Sequence, residues 1–497
     1  MLEQTLNSLS GFLPETVLIV SMVVCIILDL ILRKKSAVVS VAGIIGIAVS
    51  GYFAWLQLGV KSILFSGMVV VDPYSVFFKL LIGLSTIFVI IFAMFSKEMK
   101  ESTHKNEYVY LMTAMTLGAY LMASSVNMLM MYLSLETVSL SSYVLAGYTK
   151  KIKRSSESAM KYIIYGAASS GIMIYGISLL YGFTGTLNIY ETSIFLSRLN
   201  PASEPVLIIS LIMILAGFGY KISSVPFHFW TPDVYEGAPI PVTGFLAVTS
   251  SAAGFSVLIR FITNSFLAGN LVQNGQYVVI PGVNWKEIMI VLSVASMILG
   301  NFTAVWQSSV KRMLAYSSIA QGGYIMLGLT VANQQGVAAM LIYLMAYLFM
   351  NLGAFFVLIL IANKLDTDEL IGMKGLGYKA PVICVGMGVF MFALSGVPTT
   401  AGFIGKFYLF TALIESKLVW LALVGLMNAV VSLFFYIKVL KYMFLMKPEE
   451  GNTQKLKFGA GAYIVMFALV IPTMVFGIYF TPLVRLAEYS ISMFGFR

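Results

Sequence analysis

Four ionisable side chains lie inside long apolar segments of the sequence, namely Glu136, Lys161, Lys221 and Lys406. A charge at the centre of a bilayer costs about 2.5 to 3.5 kcal/mol on insertion scales, so a chain that keeps several is expected to use them. A buried lysine can exchange a proton when a carboxylate approaches or withdraws, because burial disfavours the ammonium and a nearby negative charge favours it. Residues of these types at this depth are typical of proton or cation transfer through a membrane.

The composition indicates that a membrane surrounds these charges. Apolar residues make up 59% of the 497 residues and charged residues only 10%, and the mean hydropathy is +0.91. These values exclude a soluble domain of this length, and the chain is predicted to be an all-α polytopic membrane protein with one integral domain, 1–497. Segments of about 20 apolar residues, enough to cross about 30 Å of hydrocarbon, predict fourteen helices. They span roughly 12–32, 37–57, 74–96, 107–124, 126–148, 158–183, 205–231, 240–266, 287–306, 312–332, 337–363, 381–415, 418–446 and 459–480.

Lysine and arginine residues are concentrated in every second connecting loop. The cation-rich runs, among them 33–35, 150–154 and 447–457, follow odd-numbered predicted helices. Cytoplasmic loops collect such cations, so both termini are predicted to lie outside. The net charge of +10 is therefore mostly a topology signal, and nucleic acid is excluded as a partner.

Two of the predicted helices are interrupted by a Val-Pro step, at 225–226 in the seventh and at 397–398 in the twelfth. Proline removes a backbone hydrogen bond and opens the helix, and Lys221 and Lys406 lie within about two helical turns of the two steps. Discontinuous helices at matching places point to an inverted-repeat transporter with its ion site at the breaks. The predicted divisions are 1–106 with helices 1–3, a five-helix repeat 107–266 with helices 4–8, an inverted five-helix repeat 287–446 with helices 9–13, and 459–497 with helix 14.

Residues that bind redox cofactors are few. The two cysteines, Cys25 and Cys384, both fall in apolar helices, and the two histidines are His104, in a loop, and His228. This set predicts no iron–sulfur, zinc or haem site. If electrons move in this system, they are expected to move in another polypeptide.

Six stretches of the sequence carry a resemblance to a known family. They are LSLETVSLSSYVLAGY at 133–148, KYIIYGAASSG at 161–171, KISSVPFHFWTPDVYEGAPIP at 221–241, SVKRMLAYSSIAQGGY at 309–324, NLGAF at 351–355 and GFIGKFYLF at 402–410. In this order they resemble the subunit N (chain 2) family of bacterial NADH:quinone oxidoreductase, respiratory complex I. The resemblance covers nearly the whole chain and matches the family's fourteen-helix length.

The resemblance implies a proton-translocating membrane subunit of the bacterial inner membrane. Glu136 and Lys221 would form a switchable pair, Lys161 would modulate it, Lys406 would face the exit side, and His228 would line the entry path. NAD, FMN, iron–sulfur clusters and quinone would be bound by partner subunits, which include neighbouring antiporter-like subunits and a hydrophilic NADH-oxidising arm. Membrane lipid would surround the chain.

Other interpretations of the same residues stay open at this point. Glu136 and Lys221 could form a static ion pair that fixes helix packing, Lys161 could extend to the membrane surface, and His228 could pack against its aromatic neighbours. At the level of function, the alternatives are a subunit of a cation/proton antiporter or membrane-bound hydrogenase, and a mainly structural scaffold within complex I.

One position departs from the family pattern. Ser251 stands where the family usually has a lysine that acts as the central relay on helix 8. A serine hydroxyl can pass a hydrogen bond but cannot hold a charge between steps. Three alternatives follow: ordered water near Ser251 bridges the path, a residue on another helix substitutes, or the path between the halves is broken.

Overall fold

The computed structural model describes residues 8–32, 36–102, 106–149, 152–197, 204–273, 276–279, 284–447 and 455–492. The cationic residues 33–35 and 150–151, His104, and both chain ends used in the topology prediction lie outside these described residues.

Helices account for nearly all of the described chain, and the predicted all-α class is confirmed. In the described part, ten helices are long and apolar enough to cross a membrane, and each of the fourteen predicted spans overlaps a helix. The helices are α1 (Leu13–Leu32), α2 (Ser36–Leu56), α3 (Pro73–Phe95), α4 (Lys97–Lys100), α5 (Glu107–Ser124), α6 (Met128–Ala146), α7 (Lys153–Thr184), α8 (Ile189–Leu196), α9 (Glu204–Lys221), α10 (Trp230–Gly237), α11 (Ile240–Phe245), α12 (Ser251–Phe266), α13 (Trp285–Val305), α14 (Val310–Thr330), α15 (Gln334–Leu365), α16 (Leu376–Lys379), α17 (Pro381–Ser395), α18 (Ala401–Glu415), α19 (Val419–Leu440), α20 (Ala460–Ile478) and α21 (Thr481–Ile491).

Two short β-hairpins add to the helical bundle. Strands β1 (Ser62–Leu64) and β2 (Val69–Val71) pair antiparallel with Ser62 opposite Val71. Strands β3 (Leu267–Gln273) and β4 (Gln276–Val279) form a second antiparallel pair after α12. These hairpins were not predicted, because their strands of three to seven residues are too short and too irregular in pattern to separate strand from helix by periodicity.

Helix α15, which has 32 residues like α7, forms the centre of the second half of the chain. Its apolar stretch is wholly buried, whereas the apolar stretches of α1 and α20 are mostly exposed. Helices α14, α17, α18 and α20 pack around α15, and α3 reaches it from the N-terminal part. A helix that is apolar all round and fully covered is a bundle core, and exposed apolar helices are suited to contact with lipid.

Both predicted interruptions correspond to gaps between helices. Helix α9 ends at Lys221, and the next helix, α10, begins at Trp230. In the second half, α17 ends at Ser395 and α18 begins at Ala401. A further irregularity is a π-helical segment, Leu246–Ser250, which joins α11 to α12. Irregular backbone at membrane depth is tolerated where protein or a water-filled cavity covers it, which makes these segments candidate functional elements.

Candidate functional site

Lys221 occupies the last position of α9, where the chain leaves the helix. The side chain is 1% exposed, and its Nζ donates a hydrogen bond of 3.2 Å to the hydroxyl oxygen of Ser139 on α6. Gly254 of α12 lies against the aliphatic stem, since a Cβ added there would be 3.3 Å from Cγ of Lys221. A buried ammonium is thus held by one hydroxyl, at the junction of three helices.

Glu136 lies one helical turn before Ser139 on α6 and faces the same region. It does not form an ion pair with Lys221, although both side chains are described, and it acts on Lys221 through a longer-range electrostatic attraction. Its buried Oε1 atom has no hydrogen-bond partner among the described residues. The predicted switchable pair is thus not in direct contact in this conformation, and the switching role of Glu136 stays a prediction.

The backbone that follows Lys221 is anchored at several points. The Ser224 N–H bonds to the Gly219 carbonyl at 2.8 Å, and the Val225 N–H bonds to the Ser296 hydroxyl of α13 at 2.9 Å. His228 lies beyond the proline, is 4% exposed and packs on the Phe229 ring at a centroid distance of 4.5 Å. Its contacts fit the packing alternative, while its Nδ1 atom has no partner among the described residues.

Lys406 lies on α18, one to two turns after the second interruption. It is 4% exposed, and its Nζ donates to the carbonyl oxygens of Leu394 and Ser395 at 3.1 and 3.0 Å. The same ammonium stands 4.6 Å from the ring centroid of Tyr324. Helix ends leave carbonyls without intrahelical partners, so the broken helix itself supplies the acceptors for this lysine.

Gln321 of α14 contacts the second interruption from the opposite side. Its Nε2 donates to the Leu394 carbonyl at 3.0 Å, the same oxygen that Lys406 binds. It also donates to the Tyr436 hydroxyl at 3.1 Å and accepts a hydrogen bond from Tyr343. Gln321 is 1% exposed, and it joins Lys406 to a buried set of hydroxyl groups.

The residue after Gln321 reaches the first interruption. A Cβ added at Gly322 would lie 3.3 Å from the carbonyl oxygen of Ile222, the residue that follows Lys221. Adjacent positions of one helix therefore touch both broken helices. Gln321 was not predicted as a site residue, although an amide within an otherwise apolar helical stretch was the signal that could have found it.

Lys161 contacts neither Glu136 nor Lys221. Its Nζ forms ion pairs with Asp233 of α10 at 2.7 Å and with Glu157 at 2.8 Å, and its side chain is 38% exposed. Asp233 also pairs with Arg312 of α14 at 3.0 Å. The structure therefore places Lys161 in a charged cluster at one end of the bundle, where the segment after the first break meets the second half.

Ser251 follows the π-helical segment directly. Its hydroxyl donates to the Leu246 carbonyl at 3.1 Å, within its own helix. Two residues earlier, the Thr249 hydroxyl shares a hydrogen bond of 2.7 Å with Ser85 of α3. Ser251 is thus one turn from Gly254, which packs on Lys221, but its own hydrogen bond is to the Leu246 carbonyl and to neither lysine.

Two buried ion pairs were not predicted from the sequence. Lys79 lies 2.6 Å from Oε1 of Glu15. Arg260 binds both carboxylate oxygens of Asp72 at 2.8 and 2.9 Å. Sequence position gives depth along a helix, and only packing reveals which side of the helix is covered.

Metal ligands are not grouped in the part of the chain that the structure describes: no set of three or more His, Cys, Asp or Glu side chains could hold an ion there. Cys25 and Cys384 are both buried, and they lie on different helices.

Comparison with known proteins identifies the family. Residues 125–432 match the family model described as NADH:quinone oxidoreductase/Mrp antiporter, TM. The chain is 45% identical over 492 residues to NADH-quinone oxidoreductase subunit N 2 of Chloroherpeton thalassium, covering 98% of this chain and 95% of that protein. It is 43% identical over 501 residues to NADH-quinone oxidoreductase subunit N of Chlorobium chlorochromatii, covering 99% and 96%.

A solved structure has the same fold. A chain of respiratory complex I from Thermus thermophilus with bound Aureothin superimposes with a TM-score of 0.78 at 28% identity, over 96% of this chain and 99% of that chain. The resemblance that the six sequence stretches indicated is confirmed. The chain belongs to the NADH-quinone oxidoreductase subunit N family, within the NADH:quinone oxidoreductase/Mrp antiporter group of membrane proteins.

Proposed function

We propose that this chain is a proton-translocating membrane subunit of a bacterial NADH:quinone oxidoreductase, in which electron transfer from NADH to quinone in partner subunits drives proton transport. The observation that carries the proposal is the buried Lys221 at the end of a broken helix, held by a single hydroxyl within the field of Glu136. A buried charge with few fixed partners can change its protonation state when a nearby carboxylate moves. The identity with named subunit N proteins over nearly the whole chain supports the same function.

The proposed proton path runs from Lys221 to Lys406. Glu136 controls the charge of Lys221, and Lys406 releases protons toward the exit side. Gln321 and Gly322 connect the two breaks, so Gln321 with its hydroxyl neighbours is our candidate for the link that the family lysine at position 251 would provide. An amide and hydroxyl groups cannot store a proton, so this link passes it through water held between fixed donors and acceptors.

We further propose that the protein lies in the bacterial inner membrane with both termini outside. NAD, FMN, iron–sulfur clusters and quinone are assigned to partner subunits, since the chain has two cysteines and an iron–sulfur cluster is usually held by four thiolates. The two five-helix repeats around α9–α12 and α17–α18 are the units expected to move relative to each other.

Purification in mild detergent tests the membership of this complex. The expected result is co-isolation with subunits that carry flavin and iron–sulfur clusters, together with NADH dehydrogenase activity. Co-isolation with only other antiporter-like chains would instead support a cation/proton antiporter and contradict the proposal.

Replacement of Lys221 tests the transport role. Lys221→Ala is expected to abolish most NADH-driven acidification of inverted membrane vesicles while the complex still assembles, because the remaining hydrogen bonds at the break are made by the backbone. Lys438→Ala is the matched control, since Nζ of Lys438 only anchors the carbonyls of Val305 and Gln307 at 3.0 and 3.1 Å. Normal pumping by an assembled Lys221→Ala complex would refute the proposed role.

A further inference from the structure

A cavity of about 480 Å³ opens where α3, α15 and α20 meet. Residues 222–229 and 396–400 of the two interruptions do not line it, and the proposed proton path does not use it. Four lysines line it, namely Lys97, Lys100, Lys364 and Lys457. Lys97 and Lys100 belong to α4, Lys364 to the last turn of α15 and Lys457 to the segment before α20, and the topology prediction places all four at the cytoplasmic side.

Hydrogen bonds between α15 and the end of α3 hold the walls of this cavity. The Asn363 side chain donates to the Phe95 carbonyl at 2.9 Å and accepts from the Lys97 N–H at 2.9 Å. Nζ of Lys97 pairs with Asp366 at 2.8 Å. This hydrogen bond raises the pKa of Lys97, whose ordinary value already keeps a lysine charged at neutral pH. The cavity is therefore preformed by fixed contacts.

The charges around the cavity favour an anion. Against the four lysines stand Glu101, which also lines the cavity, and Asp366, which is occupied by Lys97. Gly459, the residue before α20, lines the cavity as well, and no side chain caps this helix start. A helix N-terminus carries partial positive charge and free N–H groups, which adds to the attraction for phosphate oxygens.

The floor of the cavity is apolar and continues into a surface suited to lipid. Phe95 and Phe458 line it, and Nζ of Lys364 stands 6.0 Å from the centre of the Phe458 ring. Along α20, Ile464 and Ile471 are 68% and 55% exposed. A cationic cavity next to exposed apolar side chains at the end of membrane helices matches a phospholipid better than a free ion.

We propose that this cavity binds the phosphate head group of an anionic phospholipid, with the acyl chains lying along α20. The lysines supply the phosphate contacts, and the aromatic floor supplies the contact for the glycerol and upper acyl carbons. Such a lipid would join the N-terminal helix α3 to the C-terminal helix α20. The inference does not depend on proton transport by this chain.

The test measures binding of fluorescent phosphatidylglycerol to the intact complex in phosphatidylcholine nanodiscs. The double variant Lys364→Gln with Lys457→Gln is expected to weaken binding about tenfold, from the loss of two cationic contacts. The control Lys153→Gln with Lys374→Gln removes two cations of the same predicted face that do not line the cavity, and is expected to bind normally. Glu101→Gln is expected to strengthen binding, which a merely misfolded variant would not do.

Four results would overturn the proposal. Equal weakening by the control variant would indicate a general surface charge effect. Equal binding of fluorescent phosphatidylcholine would exclude an anionic site. Full competition by inorganic phosphate alone would indicate a small-anion site. Chemical cross-linking of Lys364 to an acidic segment of another subunit, with no lipid retained, would indicate a protein interface.

Discussion

The two broken helices hold their lysines in different ways. Lys221 has one hydrogen bond, to the Ser139 hydroxyl, and a carboxylate at longer range. Lys406 has two hydrogen bonds to backbone carbonyls and the face of a tyrosine ring, and no carboxylate of the described chain pairs with it. Fixed backbone acceptors anchor a charge, whereas a side-chain acid can move or be neutralised. The first site is therefore suited to switching and the second to holding and delivering a proton.

Lys406→Met is expected to have the largest effect, because it removes both transport and structural contacts. The Leu394 and Ser395 carbonyls lose a charged donor, which costs about 1 to 3 kcal/mol of stability. Pumping is expected to fall about a hundredfold or more, the usual range for loss of a positioned proton-transfer group. Vesicle acidification measures the first effect, and thermal denaturation of the purified complex measures the second.

Lys221→Met is the comparison variant for that experiment. It should reduce pumping to a similar extent but leave thermal stability nearly unchanged, because only one hydroxyl contact is lost. Equal destabilisation by both variants would remove the distinction between an anchored and a switchable lysine.

Glu136→Gln is expected to reduce pumping about tenfold while leaving the Lys406 site intact. The amide keeps the size of the side chain but removes the negative charge that acts on Lys221. Glu136→Asp, which keeps the charge, should retain most of the activity. If Glu136→Gln pumped normally in vesicles with normal NADH oxidation, the switch would not depend on this carboxylate.

The sequence was a good guide wherever the determining chemistry is local. Proline disfavours a helix interior, and both Val-Pro steps with their Ser, Gly and Thr neighbours mark interruptions, although proline alone is not sufficient, since Pro472 lies inside α20. The partners of Lys161 and Lys221 could not be predicted, because Asp233 and Ser139 are brought to them by the rotation and packing of whole helices. The π-helical segment Leu246–Ser250 could not be predicted from its residue types either, since its backbone geometry depends on packing against neighbouring helices.

Gln321→Met is expected to lower pumping severalfold, less than loss of either lysine. Methionine has a similar volume but cannot bond to the Leu394 carbonyl or the Tyr436 hydroxyl. Tyr436→Phe, which removes only one of these contacts, is the control and should have a smaller effect. Equal pumping by Gln321→Met and the unmodified complex would place the link between the two sites elsewhere.

Ser251→Ala is expected to have the smallest effect, less than about twofold in pumping rate, equivalent to under half a kcal/mol. Its hydroxyl already bonds to the Leu246 carbonyl within the same helix, so it contributes no donor toward Lys221 or Lys406. A larger loss, measured as vesicle acidification per NADH oxidised, would show that this hydroxyl orders the connecting water.

Ser251→Lys tests the same position by adding an ionisable group instead of removing the hydroxyl. It places an ionisable group one turn from Gly254, which packs on Lys221, and the new charge should repel the Lys221 ammonium. We expect the pH dependence of pumping to change in an assembled complex. Each of the two ammonium groups makes protonation of the other less favourable, because like charges at close range repel each other. Unchanged rate, stoichiometry and pH dependence would mean that protons pass between the two lysines without using this part of α12, which would leave α14 as the connecting element.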